Sequence, residues 1–274
     1  MEENELMLGV GLPTLGILAT PYIDKKNRTS RKIIYDKTLI RLLKKKNINY
    51  MIIPYTIARS KVGSLLDSLD GLIFPGGRAG NFYNNKFYKA YFKMQQFLMK
   101  KATTINSHVR PFPILGICNG YENMMLIAKH YNITKNNIKT TFINVKCYKN
   151  YKTVPIFRNN GSNKTKKKII HNNMIALDPE TKIPQYMIIA TSYDKTNKEF
   201  IEIVKHRKYP YYGFQGHPEV FNHDLMHSFF ETVKVSFSKR KNINTKTNNT
   251  TKNIKIIKKN KVTTLKRRVY KHQL

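Results

Sequence analysis

One cysteine of this sequence stands where a nucleophile is expected. Cys118 lies between Gly116 and Gly120 in the segment PILGICNGYENMMLIA (113–128), directly after a run of apolar residues. Glycine on both sides permits a tight turn from a strand into a helix and a close approach between the two, which would expose the thiol. The partial positive charge at the start of a helix also favours the thiolate. By itself, the G-x-C-x-G pattern fits a nucleophile or a small buried core thiol.

A histidine and a glutamate two residues apart form the second candidate group. In GFQGHPE (213–219), His217 and Glu219 would point to the same side of an extended segment. This geometry suits a proton relay in which His217 takes the proton from Cys118 while Glu219 fixes the orientation and tautomer of the imidazole. A histidine near a glutamate is also common on protein surfaces, so the pair alone leaves both interpretations open.

A third segment, FPGG (74–77), ends an apolar run in two glycines. Such a turn can aim backbone N–H groups at a carbonyl oxygen that becomes negative during nucleophilic attack, although Pro-Gly-Gly is also a generic turn. The three segments together therefore indicate thiol-based acyl transfer more strongly than any one of them does.

The elements that must position these groups alternate between apolar runs and helical patterns. Runs of strand length occupy 15–20, 49–55, 71–77 and 111–117, and helical patterns occupy 30–47, 60–69 and 86–102. This alternation predicts right-handed βαβ units. The predicted fold is α/β: a three-layer αβα sandwich with a central, mostly parallel sheet and reactive groups at the carboxyl ends of its strands.

The rhythm changes beyond residue 135, where the chain becomes a series of shorter β-rich pieces closed by an amphipathic helix at 223–237. We expect residues 12–238 to form one catalytic domain. Residues 239–274 have no sustained apolar face, and we expect them to be a disordered basic tail.

The chain is strongly basic. Its 274 residues carry a formal net charge of +34, and residues 239–274 contain thirteen Lys and Arg without Asp or Glu, which leaves +21 for the rest. Such a charge attracts nucleic acid, anionic lipid or polyanionic substrates without specifying which. A codon bias toward Lys, Asn and Ile gives the same composition, so nonspecific polyanion contact through 239–274 is one of two interpretations.

Cysteine usage and hydropathy bear on the compartment. The two cysteines, Cys118 and Cys147, do not make a disulfide framework, which favours a reducing environment. No run of eighteen apolar residues occurs, so we expect no membrane span. The apolar run near the N-terminus follows acidic residues and is broken by Pro13, so we interpret it as a first core strand rather than a signal sequence. These features favour a cytoplasmic protein.

Taken in order, FPGG, G-x-C-x-G and H-P-E resemble the class I glutamine amidotransferase-like superfamily, whose fold is flavodoxin-like and whose triad is Cys-His-Glu. The chain resembles the gamma-glutamyl hydrolases, which are cysteine peptidases, in particular. The similarity covers about residues 12–235. The segments that carry it are LPTLGILATP, DGLIFPGG, PILGICNGYENMMLIA, KIIHNNMIAL and TSYDKTNKEFIEIVKHRKYPYYGFQGHPE.

The resemblance implies a role for eight residues of this sequence. Cys118 would be the nucleophile, His217 the general base and acid, and Glu219 the residue that orients His217. The backbone N–H groups of Gly77 and Asn119 would form the oxyanion hole, and His171, Gln215 and Glu122 would lie near the substrate. The family usually has tryptophan directly before His-Pro-Glu, whereas this chain has Gly216 there and no tryptophan at all. This departure could loosen the pocket or change what it accepts.

The activity implied by the resemblance is hydrolysis of gamma-glutamyl amide bonds through a thioester, with poly-gamma-glutamate tails such as those of folylpolyglutamates as substrates. It needs no metal or organic cofactor, and relatives suggest a homodimer. Relatives are often lysosomal, vacuolar or secreted, in tension with the cytoplasmic expectation. Three alternatives stay open: a glutaminase module that feeds ammonia to a synthetase, a hydrolase of small gamma-glutamyl amines, and an inactive relative that binds nucleic acid or anionic surfaces.

Overall fold

The computed structural model describes residues 11–22, 32–34, 36–77, 84–131, 134–145, 153–158, 167–171, 174–221 and 223–245. Cys147 and residues 246–274 lie outside these ranges, and so do the predictions made for them.

Thirteen strands are described, at Thr14–Leu18 (β1), Thr20–Tyr22 (β2), Lys32–Ile34 (β3), Asn49–Ile53 (β4), Gly71–Phe74 (β5), Ile114–Ile117 (β6), Phe142–Asn144 (β7), Thr153–Arg158 (β8), Lys167–Ile170 (β9), Ile175–Leu177 (β10), Tyr186–Tyr193 (β11), Glu199–His206 (β12) and Tyr211–Phe214 (β13). The described helices are Lys37–Lys45 (α1), Arg59–Ser68 (α2), Lys86–His108 (α3), Asn119–Ala128 (α4), Lys135–Thr141 (α5), Pro218–Phe221 (α6) and residues 227–245 (α7), the last of which comes after a 3-10 turn at His223–Met226.

Five parallel strands form the centre of the sheet, in the order β4-β1-β5-β6-β13. β1, β5, β6 and β13 are buried along their whole lengths, because helices cover both faces of the sheet. The adjacent strands β5, β6 and β13 end at one edge, and the segments FPGG, GICNG and GFQGHPE leave the sheet there. The topology therefore delivers all three motifs to one place.

An antiparallel extension continues the sheet from β13 through β12, β11 and β8 to β9. A further pair, β10 and β7, joins it through β12. These strands are the short β-rich pieces predicted beyond residue 135. The end of β9 matters for the site, because the backbone N–H of His217 donates to the carbonyl of Ile170, 2.8 Å away.

Helices cover both faces of the sheet, each with its own apolar core. On one face α2, α3 and α4 contribute Val62, Tyr91 and Met124, among others. On the other face α1 and α7 contribute Leu39, Leu43 and Phe229. This arrangement confirms the predicted three-layer αβα sandwich.

The helix predicted at 30–47 begins later than expected. Residues 32–34 form β3, which pairs with β2 in a separate two-stranded sheet, and α1 begins at Lys37. The Asp36 side chain accepts the backbone N–H groups of Thr38 and Leu39, so it caps α1 and sets the start of that helix.

The last described helix, α7, runs past residue 238, where the predicted domain ends. α7 continues to residue 245. Arg240 explains the extension, because its guanidinium makes two hydrogen bonds of 2.7 and 2.8 Å to the buried carboxylate of Asp70. Arg110 adds a second connection to α7 through Ser236. The seven residues after 238 therefore belong to this helix, which Arg240 connects to the rest of the domain, while residues 241–245 are exposed.

Candidate active site

Cys118 lies at the sharp turn between β6 and α4. Its backbone has φ 49° and ψ −115°, a left-handed conformation that is strained for a residue with a side chain. The backbone around it is fixed by two hydrogen bonds, from Cys118 N–H to the Phe214 carbonyl and from Glu122 N–H to the Cys118 carbonyl. A Cβ atom at Gly120 would overlap the Phe74 carbonyl, so the glycine lets α4 lie directly against β5.

The thiol is less exposed than the G-x-C-x-G pattern suggests, since Cys118 is only 8% exposed. The turn after β5 and the imidazole of His217 both lie close to it. A Cβ atom at Gly76 would lie 3.2 Å from Cys118 Cβ and 2.8 Å from His217 Cε1. The turn after β5 and the imidazole of His217 therefore enclose the thiol on the side of β5.

His217 and Glu219 are in direct contact. His217 Nδ1 lies 2.7 Å from Glu219 Oε1, and a hydrogen bond also links the imidazole to Cys118. The carboxylate of Glu219 is buried, whereas the His217 side chain is 18% exposed. The structure thus brings Cys118, His217 and Glu219 together in the order that a relay requires.

The environment of His217 favours its protonated form. Burial alone lowers the pKa of His217, but hydrogen bonding and charge interaction with Cys118, and then with Glu219, outweigh burial and hold the pKa well above its ordinary value. These interactions stabilise the imidazolium, which is the form of His217 that can give a proton to a departing group.

The two predicted oxyanion donors come from different segments, the turn after β5 and the start of α4. Asn119 is the first residue of α4, where backbone N–H groups have no acceptor within the helix. Gly77 comes after β5, is exposed, and would place a Cβ atom 3.4 Å from Thr20 Cγ2. Gly76 is the glycine at which an added Cβ atom would meet both Cys118 and His217, and no pattern in the sequence indicated this because Pro-Gly-Gly is a common turn.

Glu122 and Gln215 lie together beneath the elbow. Gln215 Nε2 donates to one carboxylate oxygen of Glu122 at 3.0 Å, and the Asn119 side chain donates to the other at 3.2 Å. Burial raises the pKa of Glu122 despite these two hydrogen bonds and the nearby charge of His217. Both residues predicted to lie near the substrate are buried in this structure, and their hydrogen bonds connect the first turn of α4 to the residue after β13.

A chain of buried polar groups supports α4 from α3. Asn119 donates to the Tyr88 hydroxyl, Tyr88 donates to Asn123, and Asn123 donates to Gln95, at 2.8–3.0 Å. Gln95 in turn donates to the Gly120 carbonyl at 2.7 Å. Sequence patterns did not indicate this network, because its members are far apart in the chain and match no motif.

His171 is buried rather than open to a substrate. It is 2% exposed, and its Nε2 lies 2.7 Å from Glu202 Oε2, a contact of ion-pair length whose angle is not that of a regular hydrogen bond. Its ring also meets Phe200 edge to face. The structure therefore does not place His171 with Cys118, and it brings in a residue that the sequence did not single out, Glu202.

Gly216, the position where the resemblance leads one to expect tryptophan, has no room for a side chain. A Cβ atom there would lie 2.8 Å from Ile169 Cγ1, 2.9 Å from the Ile170 carbonyl and 3.0 Å from His171 Nε2. The end of β9 and His171 occupy this space. The departure from the family therefore comes with close packing rather than with a void.

Among the residues that the structure describes, no group of three or more His, Cys, Asp or Glu side chains could hold a metal ion. Within the same ranges, no helix is both long and apolar enough to cross a bilayer.

Known proteins resemble this chain in sequence and in fold. Residues 33–235 match the family model of the class-I glutamine amidotransferases. Gamma-glutamyl hydrolase B of Dictyostelium discoideum is 22% identical over 227 residues, which are 76% of this chain and 62% of that protein. The gamma-glutamyl hydrolase of Rattus norvegicus is 24% identical over 57% of this chain and 51% of its own length. Gamma-glutamyl hydrolase 1 of Arabidopsis thaliana is 26% identical over 56% of this chain and 46% of its own length. The chain thus matches about half to three-fifths of the length of these curated relatives.

A solved structure supports the fold. The crystal structure of a protein assigned as a GMP synthase subunit from Thermoplasma acidophilum covers 85% of this chain and 98% of its own, at 16% identity and a TM-score of 0.57. The resemblance to gamma-glutamyl hydrolases that the motifs indicated is thus confirmed, at low identity. Because the family model spans most of the described domain, the chain belongs to the class-I glutamine amidotransferase family.

Proposed function

We propose that this protein is a cysteine-dependent hydrolase of gamma-glutamyl amide bonds. The observation that carries the proposal is the close grouping of Cys118, His217 and Glu219 around Gly76, at the carboxyl ends of neighbouring strands. A strained elbow, an imidazole hydrogen-bonded to the thiol, and a buried carboxylate on the other ring nitrogen are the parts that acyl transfer by a thiol requires.

The first half of the reaction forms a thioester. The Cys118 sulfur attacks the gamma-carbonyl carbon, and the carbonyl oxygen becomes an oxyanion that accepts hydrogen bonds from the Gly77 and Asn119 backbone N–H groups. One such donor is worth about 3 kcal/mol in the transition state. As the intermediate collapses, the carbon–nitrogen bond breaks and His217 gives its proton to the departing amine.

The second half regenerates the thiol. His217, now neutral, takes a proton from a water molecule that attacks the thioester carbonyl. The carbon–sulfur bond breaks, which releases the Cys118 thiolate beside the protonated His217, and the glutamyl product leaves as a carboxylic acid that loses its proton to solvent. Glu219 holds Nδ1 throughout, so the other ring nitrogen faces the reaction.

The proposed substrate class is poly-gamma-glutamate, as in folylpolyglutamates. Each residue of such a chain carries a free carboxylate, and a protein with a net charge of +34 concentrates polyanions near its surface. The relatives from Dictyostelium, rat and Arabidopsis all carry the name gamma-glutamyl hydrolase. Within this proposal the protein works as a homodimer in the cytoplasm without a cofactor, which light scattering and fractionation would test.

The test is product analysis with purified protein. Wild type and Cys118→Ala are incubated separately with a pteroyl-polyglutamate, with glutamine and with a small gamma-glutamyl amine, and products are identified by mass spectrometry. We expect wild type alone to release glutamate or short gamma-glutamyl peptides from the pteroyl-polyglutamate.

Other outcomes separate the alternatives. Turnover of free glutamine at a higher rate would indicate a glutaminase, and turnover of the small amide alone would change the substrate. No release from any of the three, together with a Cys118 that is inert to thiol-directed reagents, would refute the enzyme and favour an inactive basic relative.

A further inference from the structure

Glu202 is a buried carboxylate that the proposed mechanism does not use. It lies on β12, is 0% exposed, and contacts two different segments of the site. Its Oε1 accepts the backbone N–H of Gly216 at 2.9 Å, and its Oε2 lies 2.7 Å from His171 Nε2. Its own backbone carbonyl also accepts the N–H of Gln215 at 2.8 Å.

These contacts surround the backbone of His217. The two residues before it, Gln215 and Gly216, are both hydrogen-bonded to Glu202. The N–H of His217 itself donates to Ile170, whose neighbour His171 is held by the Glu202 side chain. Both segments that fix the His217 backbone therefore contact this one carboxylate.

The missing side chain at position 216 belongs to the same arrangement. Gly216 allows its N–H to approach Glu202 while Ile169, Ile170 and His171 pack directly against its α-carbon. Burying a carboxylate costs free energy unless several hydrogen-bond donors face it. Apolar side chains could pack the end of β9 against the residues after β13 at a lower cost in free energy. A carboxylate adds a directional hydrogen bond, which fixes the position of the Gly216 N–H.

We infer that Glu202 is a positioning residue that fixes the Gln215–His217 segment, and through it the imidazole, against Cys118, with His171 as its buried partner rather than as a substrate contact. The expected changes in kcat and KM rest on the proposed function, whereas the expected change in the alkylation rate of Cys118 does not. The reactivity of Cys118 toward a simple alkylating reagent depends on His217 and needs no gamma-glutamyl substrate.

The experiment compares Glu202→Met, which keeps the side-chain volume but removes both acceptors, with Glu202→Gln, which keeps the acceptor for Gly216 and replaces the oxygen that faces His171 with an NH2 donor. Arg240→Ala is the matched control, because it disturbs another buried carboxylate pair, Asp70–Arg240, at the opposite ends of the strands. Each protein is assayed for iodoacetamide alkylation of Cys118 at pH 6, for kcat and KM on the pteroyl-polyglutamate, and for its Tm.

We expect Glu202→Met to lower the alkylation rate at least fivefold and kcat at least tenfold, with KM within twofold of wild type. Glu202→Gln should stay within threefold of wild type in both rates, and Arg240→Ala should lower only the Tm. Two outcomes would overturn the inference. In the first, Glu202→Met and Arg240→Ala have the same alkylation rate and the same kcat at a temperature below the Tm of both proteins. In the second, Glu202→Met and Glu202→Gln lose the same amount of alkylation rate and kcat.

His171→Phe provides a second, independent variant should Glu202→Met not fold. A positioning role predicts slower alkylation and lower kcat, about three- to tenfold each. A substrate contact predicts a raised KM with unchanged alkylation, which would overturn the inference. If wild type hydrolyses no gamma-glutamyl amide, the proposed function fails, while the alkylation rates still decide the role of Glu202.

Discussion

The substitution Gly76→Ala tests the contact between the β5 turn and the two reactive side chains. The new Cβ atom would lie 2.8 Å from His217 Cε1 and 3.2 Å from Cys118 Cβ. Carbon atoms in contact are usually about 3.5–4.0 Å apart, so the imidazole must move by roughly 0.7 Å or the turn must shift away. Either movement separates groups that have to exchange a proton.

The magnitude comes from the displacement. A misplacement of about 1 Å can cost on the order of 10²-fold in rate, so a shift of roughly 0.7 Å should lower kcat by about 10- to 100-fold. This corresponds to about 1.4–2.7 kcal/mol in the activation free energy. Overpacking should also lower the free energy of unfolding by about 1–3 kcal/mol.

Gly63→Ala is the matched control. Position 63 lies in α2, and a Cβ atom there meets nothing within 4 Å. It should leave kcat unchanged and raise the free energy of unfolding by about 0.5–1 kcal/mol. Both variants are assayed for kcat, for Cys118 alkylation and for thermal unfolding. Wild-type kcat and alkylation in a folded Gly76→Ala protein would refute the reasoning, because the contact would then not belong to the working site.

Three further predictions concern charge. Glu219→Gln removes one cause of the raised pKa of His217, so the alkaline limb of the kcat–pH profile, where the imidazolium loses its proton, should move to lower pH, and kcat should fall tenfold or more; an unmoved limb would contradict this assignment. Arg240→Ala leaves the Asp70 carboxylate buried with the Thr14 N–H as its remaining hydrogen-bond donor and the charge of Arg110 nearby, so urea unfolding should show a loss of about 2–4 kcal/mol, whereas a loss below about 0.5 kcal/mol would mean that the pair does not hold α7. Deleting 246–274 removes ten Lys and Arg and should weaken a salt-sensitive DNA gel shift without changing kcat; an unchanged shift would place the polyanion contact on the folded domain.

The motifs could be recognised from the sequence because each is local. An apolar run ending in Gly-Gly or in G-x-C-x-G identifies a strand and the turn that leaves it, and parallel strands bring their carboxyl ends to one edge. Cys118, His217 and Glu219 were accordingly predicted as a group, and the structure places them in contact.

The features that the sequence did not indicate depend on contacts between distant segments. Glu202 looks like an ordinary strand residue until β9 and the residues after β13 are placed on either side of it. The burial of Cys118 depends on how closely the β5 turn approaches, which no local pattern encodes. The late start of α1 was in principle readable, because Asp36 is a good N-cap residue, but the apolar spacing of Ile33 and Ile34 suggested a longer helix.

The most direct test of the proposed mechanism is to look for the acyl-enzyme itself. Wild type is mixed with a pteroyl-polyglutamate, quenched with acid during turnover, and analysed as intact protein and as peptides by mass spectrometry. We predict the added mass of a gamma-glutamyl group on the peptide that contains Cys118, and none in Cys118→Ala. Turnover by wild type with no adduct on Cys118, or turnover that survives in Cys118→Ala, would contradict the mechanism.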